Sequence, residues 1–479
     1  MNNDPNTFAI IGGGVSGLSA AWYLKRLCPE SQVSIFESSD MTGGVLQTVR
    51  EGDFLIEQAA DMFVARPDSA LELCRELGID DELITTKPVE ERAFIGLGDQ
   101  LYPVPQGLSM MVPTRPQPIL ETKLLTDAGK QRFLSEDQIA PAQSDEDESL
   151  KSFAVRRFGI EAYEKIIQPM VSGIYTADPE KLSMRATMKR FVDMERMHGS
   201  LIAGTASSSE DQAARGARYD LFRAPRGGIG QLISSLSEAL SQLPDTILEL
   251  NSPVSSIGRS GQQWTVDVDG NSQSFDGLIM ATGAETASQM LTSVDSQLSR
   301  LLAGIETASS AIVAVGINRN QLEQPFDGFG IIYPHIDNGQ VIAISFSSNK
   351  FAGRCNDDQL LIRAFIGGAM QSELVDLDDE ALIEIALAQL DKSVGLEGQP
   401  IFNRVFRWRN CMPQYHLGHV ERVEQIETLV GRHTNFALAG NSYRGVGIPA
   451  CVESGKNAAS KVLQFSPNSV PPNFDLPSE

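Results

Sequence analysis

The sequence predicts an α/β protein: a parallel-sheet domain assembled from both ends of the polypeptide, a second domain on a mixed sheet, and a helical insert. Three observations predict it. Residues Phe8 to Leu27 read as buried strand, glycine-rich turn and helix, and a second strand ends on an acid at Glu37. The same order of strand, glycine-rich turn and helix returns between Phe436 and Phe465, so the two ends build one site. Between them, apolar runs alternate with polar turns at the spacing of neighbouring strands in one sheet.

The opening carries the most chemistry. Phe8 to Ile11 is a continuous apolar run, Gly12-Gly13-Gly14-Val15-Ser16-Gly17 is the turn, and Leu18 to Leu27 has helical composition. Gly12 permits the tight turn, Gly14 lets backbone approach a pyrophosphate, and Gly17 lets helix and strand pack closely. The helix N-terminus then faces the phosphates. Glu37, twenty positions after Gly17, is placed to accept hydrogen bonds from a ribose. This is a Rossmann-like unit and its expected ligand is a dinucleotide. NAD and FAD share the pattern. A second glycine pair, Gly43-Gly44-Val45, leaves backbone free of side chains along the remainder of a long cofactor. At the far end, Gly440-Asn441 and Gly445-Val446-Gly447 precede a helix from Ile448, whose N-terminal amides suit a reduced flavin, anionic near N1.

Composition bounds the partners. The 479 residues divide into two or three domains, and 39 basic against 62 acidic residues give a net charge of −23, which argues against nucleic acid. No run approaches the roughly 20 apolar residues that cross a bilayer, and polar residues precede the first strand, so neither a span nor a signal peptide is expected. A cytoplasmic protein is the expectation, with peripheral membrane contact left open. Cys28, Cys74, Cys355, Cys411 and Cys451 form no CxxC pair, and the five histidines have no metal-ligand spacing. Reduced thiols and no metal site are expected.

The remaining elements follow in order. Asp53 to Glu57 is a strand, Asp68 to Leu77 a helix closed by Gly78, and Ala93 to Val104 a hairpin about Gly98-Asp99. Residues 135–148 are polar and read as an exposed loop; Ser149 caps a helix ending at Gly159. Helices cover Ile160 to Val171 and Ser183 to Met197; in the second, Met184, Met188, Phe191 and Met194 share a face. That face is either core packing or a basic amphipathic surface at a lipid or at the mouth of an apolar site. Gly199 to Arg218 reads as a mobile loop. Helix Ile229 to Leu243 and strands at 246–250, 254–257, 264–268 and 277–281 return to the first domain. Strands at 308–317, 330–333, 341–346 and 360–366, with helix Asp379 to Leu390, make the second. The expected boundaries are 1–90, 219–290 and 406–465 for the cofactor domain, 91–218 for the hairpin and insert, 291–405 for the substrate sheet, and 466–479 for a disordered tail.

On these residues the sequence resembles the FAD-dependent porphyrinogen oxidases, within the group shaped like amine oxidases and phytoene desaturases. The resemblance covers nearly the whole chain. It is carried by IGGGVSGLSAAW, Gly43-Gly44, LYPVPQGL from Leu101, VRRFGIEAYEKIIQPMVSGIYTADPEKLSMRAT from Val155, CMPQYHLGH from Cys411 and LAGNSYRGVGIPACVESGKNAA from Leu438. The last three separate porphyrinogen oxidases from flavoproteins at large. The chain departs from the family's E-x-G-P stretch, having Gln58-Ala59-Ala60-Asp61 after Glu57.

The resemblance implies an amine oxidase-like fold and FAD contacts at Gly12, Gly13, Gly14, Val15, Ser16, Gly17, Glu37, Gly44, Val45, Ala60, Asp61, Met62, Val254 by its backbone, Asn441, Val446, Gly447 and Ile448. It also implies that Arg92 faces a substrate propionate, as a guanidinium suits a carboxylate. The implied reaction is oxidation of coproporphyrinogen III or protoporphyrinogen IX in heme biosynthesis. Three hydride-type transfers reach non-covalent FAD, dioxygen is the acceptor, and the product passes to the next heme-pathway enzyme. No catalytic acid, base or nucleophile set is visible, which suits hydride transfer in a dry apolar pocket. Gly173, Ile331, Phe346 and Phe351 are the candidate walls. Arg92, Arg156, Arg157, Arg185 and Lys189 are candidates for a positive mouth that offsets the −23 charge. The rival readings are an amine or polyene oxidase of the same architecture and a non-catalytic module that binds FAD or a porphyrin.

Overall fold

The structure, a computed structural model, describes residues 7–88, 93–207 and 221–464. Its centre is a five-stranded parallel sheet in the order Thr246–Glu249, Gln32–Phe36, Thr7–Ile11, Gly277–Met280, Phe436–Leu438. The opening strand is the middle one: Ile10 lies opposite Ile35 on one side and Ile279 on the other, all without solvent exposure. Strands buried on both faces need apolar residues at every position, which is why this run does not alternate. Helices Val15–Leu27, Ile229–Ser241 and Ile448–Gln464 cover one face through Leu18, Leu24, Leu236 and Val452. The other face is covered by helices Ala284–Leu291, Ser296–Ala303 and His419–Val430 and by a three-stranded antiparallel meander.

The strands expected after residue 245 stay with this domain but divide between two sheets. Of the four strands expected after residue 245, those at 246–249 and 277–280 join the parallel sheet. Val254–Ser260 and Gln263–Val268 pair antiparallel with each other, and Gln263–Val268 pairs with Asn271–Phe275. The reason is local: Asp269 and Gly270 both take positive φ, +52° and +79°, which makes a tight hairpin turn and forces an antiparallel return.

A seven-stranded sheet forms the second layer, in the order Phe402–Pro413, Thr307–Asn318, Gln359–Gly367, Val341–Phe346, Gly330–Ile332, Ala93–Leu97, Gln100–Pro103. All neighbours are antiparallel except Gly330–Ile332 with Ala93–Leu97. The sheet is therefore mixed, and the hairpin at 93–103 belongs to it. Helix Asp379–Val394 buries Leu382, Ala386 and Leu390 against Val313, Ile344, Ile362 and Ile366. The strand Phe402–Pro413 was not anticipated, because it is an edge strand whose residues are mostly half-exposed and whose apolar pattern is interrupted by Arg404, Arg407 and Arg409. The expected boundary at 405 and 406 falls inside it. Also unanticipated was Thr48–Glu51, the hairpin partner of Phe54–Glu57.

The insert departs from its reading in four places. Helix Leu150–Phe158 is capped by Ser149, which accepts from the Ser152 amide at 3.2 Å, and stops at Gly159 with φ +90°. The helical stretch after it runs to Tyr175 and passes through a π-helical turn at Tyr163–Ile167. The helix expected at Ser183 to Met197 is broken at Met188 into Met184–Thr187 and Lys189–His198. Met184, Met188 and Phe191 are buried in the insert core with Met194 packed against it, so this face is core and not a lipid surface. Glu136, expected in an exposed loop, is fully buried, and Leu201–Ser207 is a helix where a mobile loop was expected. Arg92, residues 208–218 and the tail from 466 lie outside the described residues. No helix among the described residues is long and apolar enough to cross a membrane.

Candidate functional site

The opening helix begins at Val15 with Gly14 at its N-cap, and no side chain caps it. Its first helical bond is Leu18 N to Gly14 O, 3.0 Å, so the amides before Leu18 have no partner within the helix. Gly12 has φ +107°, and a Cβ there would stand 2.7 Å from Ala281 O. A Cβ on Gly17 would collide with Gly12 O, while one on Gly14 would meet nothing within 4 Å. The three glycines therefore differ: two are required by packing and one faces open space.

The second glycine turn lies alongside. Gly43 donates to Gly13 O at 2.8 Å, Gly14 and Gly43 form a parallel bridge, and a Cβ on Gly44 would meet only Gly14 Cα, at 3.8 Å. Glu37 Oε2 accepts from the Gly13 amide at 2.7 Å, and Oε1 accepts from the Ser39 amide at 2.9 Å and its hydroxyl at 2.6 Å. Burial pushes the Glu37 carboxyl up, but the bonds from Ser39, Gly13 and Ser38 outweigh it and hold the group below its ordinary value. Ser252 N donates to Glu37 O at 2.8 Å, which brings Val254 to the same corner.

The C-terminal arm meets this cradle. A Cβ on Gly455 would collide with Ser16 O, so helix Ile448–Gln464 crosses the opening helix at backbone contact. Ile448 is buried with Val15 and Leu18 in one core, and Val45 and Ala60 pack against it. A Cβ on Gly447 would touch only Pro449 Cδ, at 3.8 Å. The sequence-predicted residues Gly12 to Gly17, Glu37, Gly44, Val45, Ala60, Val254 and Ile448 are thus gathered around the C-terminal end of the parallel sheet.

Beneath the stretch 57–62 lies a buried charge network that sequence reasoning missed. Asp61 Oδ2 is 2.9 Å from Lys350 Nζ and 2.7 Å from the Arg363 guanidinium. Arg363 also donates to Ala59 O at 2.6 Å, and Trp408 Nε1 donates to Gln58 O at 2.6 Å. Glu57 accepts from Thr48 Oγ1 at 2.6 Å and from the Ile229 amide at 2.9 Å. Burial opposes ionisation of Asp61, yet Lys350 and Arg363 hold its carboxyl far below the usual range. Burial pushes Glu57 up. The available signal was a charged residue inside an apolar strand, Arg363 in LLIRAFIG. Met62 is half-buried next to this network.

The substrate-side residues separate. A Cβ on Gly173 would reach only Ile332, at 4.0 Å, so Gly173 faces an opening. Ile331 and Phe346 are buried in the core under helix Asp379–Val394. Strand alternation gives the insert-facing position to Ile332 instead, which packs on the insert core. Phe351 is fully buried with the Arg354 guanidinium 5.4 Å over its ring. Asn441 and Val446 sit at the insert side, Val446 against its core. Among the described residues no group of three His, Cys, Asp or Glu could hold a metal, and the five cysteines are free.

The profile of the flavin containing amine oxidoreductase family matches residues 15–463. The chain belongs to this family. It is 30% identical to the coproporphyrinogen III oxidase of Bacillus subtilis (strain 168), over 97% of this chain and 99% of that protein. It is 29% identical to the protoporphyrinogen oxidase of Bos taurus, over 97% and 99%. A crystal structure of a provisionally named protoporphyrinogen oxidase from Exiguobacterium sp. 255-15 superposes with a TM-score of 0.85 at 28% identity, covering 96% of this chain and 99% of the other. The cyclohexylamine oxidase of Brevibacterium oxydans IH-35A, at 17% identity and a TM-score of 0.67, over 96% and 99%, shares the fold.

A member of this flavin-containing family needs room for two phosphates and a ribose acceptor, and the cradle supplies both. Gly14 and Gly44 leave open backbone where a Cβ would meet nothing or a single distant atom, and the uncapped helix N-terminus points its amides into that space. Glu37 is an ionised acceptor at its edge. The residues present fit the group.

Proposed function

We propose that the protein oxidises a porphyrinogen, coproporphyrinogen III or protoporphyrinogen IX, to the porphyrin, using non-covalently bound FAD and dioxygen. One observation supports this most directly. Two of the porphyrinogen-oxidase motifs, CMPQYHLGH and LAGNSYRGVGIP, meet in space, through Tyr415 of the first and Asn441 and Gly445 of the second.

Bound FAD supplies a two-electron acceptor, used three times per porphyrinogen, and dioxygen carries each electron pair away as hydrogen peroxide. The chain supplies place and environment. Gly12 to Gly17 and Gly43-Gly44 hold the pyrophosphate and Glu37 holds the ribose. Trp408 and Arg363 hold the carbonyls of Gln58 and Ala59, and Lys350 holds the Asp61 carboxylate, so that Ala60 to Met62 are kept in place beside the cofactor cradle. Gly173 and Ile332 border the substrate space, with Arg92 as the propionate partner. Holding the ring carbon against the acceptor and excluding water are the chain's contributions to rate.

Anaerobic mixing with each porphyrinogen tests this reading. The yellow protein should bleach with at least one of them, and under air three molecules of dioxygen should be consumed per porphyrin. An amine or polyene that bleaches the flavin while neither porphyrinogen does would overturn it. Acid precipitation should leave the flavin in the supernatant as FAD.

A further inference from the structure

Tyr415 lies outside every residue assigned to the cofactor, in the connection between strand Phe402–Pro413 and helix His419–Val430. Its ring is buried and stacks on the His419 imidazole, centroids 4.0 Å apart and planes inclined by 14°. Its hydroxyl makes two bonds. It donates to the Asn441 carbonyl oxygen at 2.5 Å and accepts from the Gly445 amide at 2.8 Å. One oxygen thus spans a turn whose ends are four residues apart, immediately before Val446, Gly447 and the start of the C-terminal helix at Ile448.

The same residue reaches the insert through its backbone. Its carbonyl oxygen accepts from the Ser183 amide at 2.8 Å, and Leu182 forms an antiparallel bridge with His416. Asn441 Nδ2 donates to Cys411 O at 3.3 Å, a second tie between the two motifs. A contrast exists within the turn itself: Tyr443 is also buried, yet its hydroxyl finds no partner among the described residues.

We propose that Tyr415 is a positioning residue for the flavin: its hydroxyl sets the turn Asn441 to Gly445 so that Val446 to Ile448 are presented to the cofactor, and its carbonyl anchors that turn to the helical insert. This rests on the reading of the loop after Asn441 as cofactor-binding. A tyrosine suits the task because a phenol donates and accepts at once, which an apolar ring of the same shape cannot do. Losing it leaves a part-buried carbonyl and a part-buried amide without this partner.

Tyr415→Phe keeps the ring and its stack and removes only the hydroxyl. The full-length variant, stripped of flavin and titrated with FAD, should bind about tenfold more weakly, because the turn that the hydroxyl orders in the wild-type apoprotein must then be ordered on binding, at roughly the worth of one hydrogen bond. Amide exchange should quicken at 441–447 and stay unchanged in the parallel sheet. Tyr443→Phe, which deletes an equally buried but unpartnered hydroxyl, should bind FAD within about twofold of wild type. Wild-type apoprotein should already protect the Gly445 amide, and this readout needs no variant to fold. An unprotected Gly445 amide in the wild type, a Tyr415→Phe protein with unchanged affinity and exchange, or equal losses in the two variants would overturn the proposal. A wild-type protein that takes up no FAD would sink the cofactor reading instead, and the exchange comparison would still judge Tyr415.

Discussion

Asp61 and Lys350, 289 positions apart in sequence, meet at 2.9 Å with both side chains nearly out of solvent. Arg363 completes the contact at 2.7 Å, so one carboxylate faces two cations. Removing the carboxylate leaves two buried cations without their counter-charge, a change that costs about 3 to 5 kcal/mol. Asp61→Asn should therefore lower the unfolding free energy by that order in urea titration, and Asp61→Asn with Lys350→Met should recover part of it. The sign with pH follows from the carboxyl's position below its ordinary value of 3.8. Its stabilisation is complete above that value and declines as pH falls toward the folded-state value. The Asp61→Asn deficit should accordingly be constant from pH 7 to 5. A deficit under 1 kcal/mol would mean that the pair contributes nothing net.

The glycine turn allows folding and binding to be separated. Gly14→Ala adds a methyl that meets no protein atom within 4 Å at an ordinary φ of −71°, so stability should change by less than about 1 kcal/mol. FAD affinity should fall sharply, because the methyl occupies the phosphate space. Gly12→Ala, at φ +107° and 2.7 Å from Ala281 O, should instead destabilise the fold itself. Glu37→Ala should cost FAD binding about 1.5 to 3 kcal/mol, the worth of a hydrogen bond to a charged acceptor. Thermal melts and fluorescence titration of the apoprotein measure both quantities. A Gly14→Ala protein with native FAD affinity would place the pyrophosphate elsewhere.

Much of this arrangement was legible because local rules carry it. Strand period, the positive-φ glycines and the acid after the second strand are each set within a few residues, and each stands where the sequence places it. What could not be read depends on partners far along the chain. Arg363, within an apolar strand, is explained by Asp61 and the carbonyl of Ala59, and Glu136, within a polar stretch, by Arg157, the Ser200 hydroxyl and the amides of Leu201 and Ile202. Ile331 and Phe346 show the limit of a strand reading. The run was recognised, but which side of the sheet helix Asp379–Val394 would cover is decided by topology.

Among the described residues, the four insert candidates for a positive mouth are paired with carboxylates or buried. Arg156 is bound by Glu148 at 2.7 Å and Glu195 at 2.6 Å, Arg157 is fully buried, Arg185 pairs with Glu421 at 2.8 Å and Lys189 with Asp193 at 2.6 Å. Cations paired with carboxylates cancel at the range of the protein's field, so of the five candidates the proposed function keeps Arg92 for the propionate. Arg92→Ala should raise KM for both porphyrinogens, with kcat unchanged if the contact is equal in ground and transition states and lowered if it also orients the ring. Arg185→Ala should leave KM within about twofold. The reverse pattern would return the steering role to the insert.

His419 gives the last prediction a pH window. Its Nε2 donates to the Tyr443 carbonyl at 2.8 Å, its ring stacks on Tyr415, and burial, with Arg422, His416 and Arg444 nearby, pushes its pKa down from 6.5 to about 4. The folded state therefore keeps the ring neutral where the unfolded chain protonates it. Above pH 6.5 the two states bind the same number of protons at this site and no penalty exists. Between 6.5 and 4 the unfolded state binds one more, so stability falls as pH falls, by up to about 1.4 kcal/mol per pH unit and roughly 3 kcal/mol in total. Burial also lowers the His416 pKa, which adds a slope of the same sign below pH 6.5, so the wild-type slope alone does not isolate His419. His419→Gln keeps a donor for Tyr443 O and removes one titration while leaving His416 in place. In urea titrations from pH 7.5 to 4.5, the stability advantage of the wild type over His419→Gln should shrink steadily below pH 6.5. Parallel curves across that range would show that His419 is protonated in the folded protein or that solvent reaches it freely.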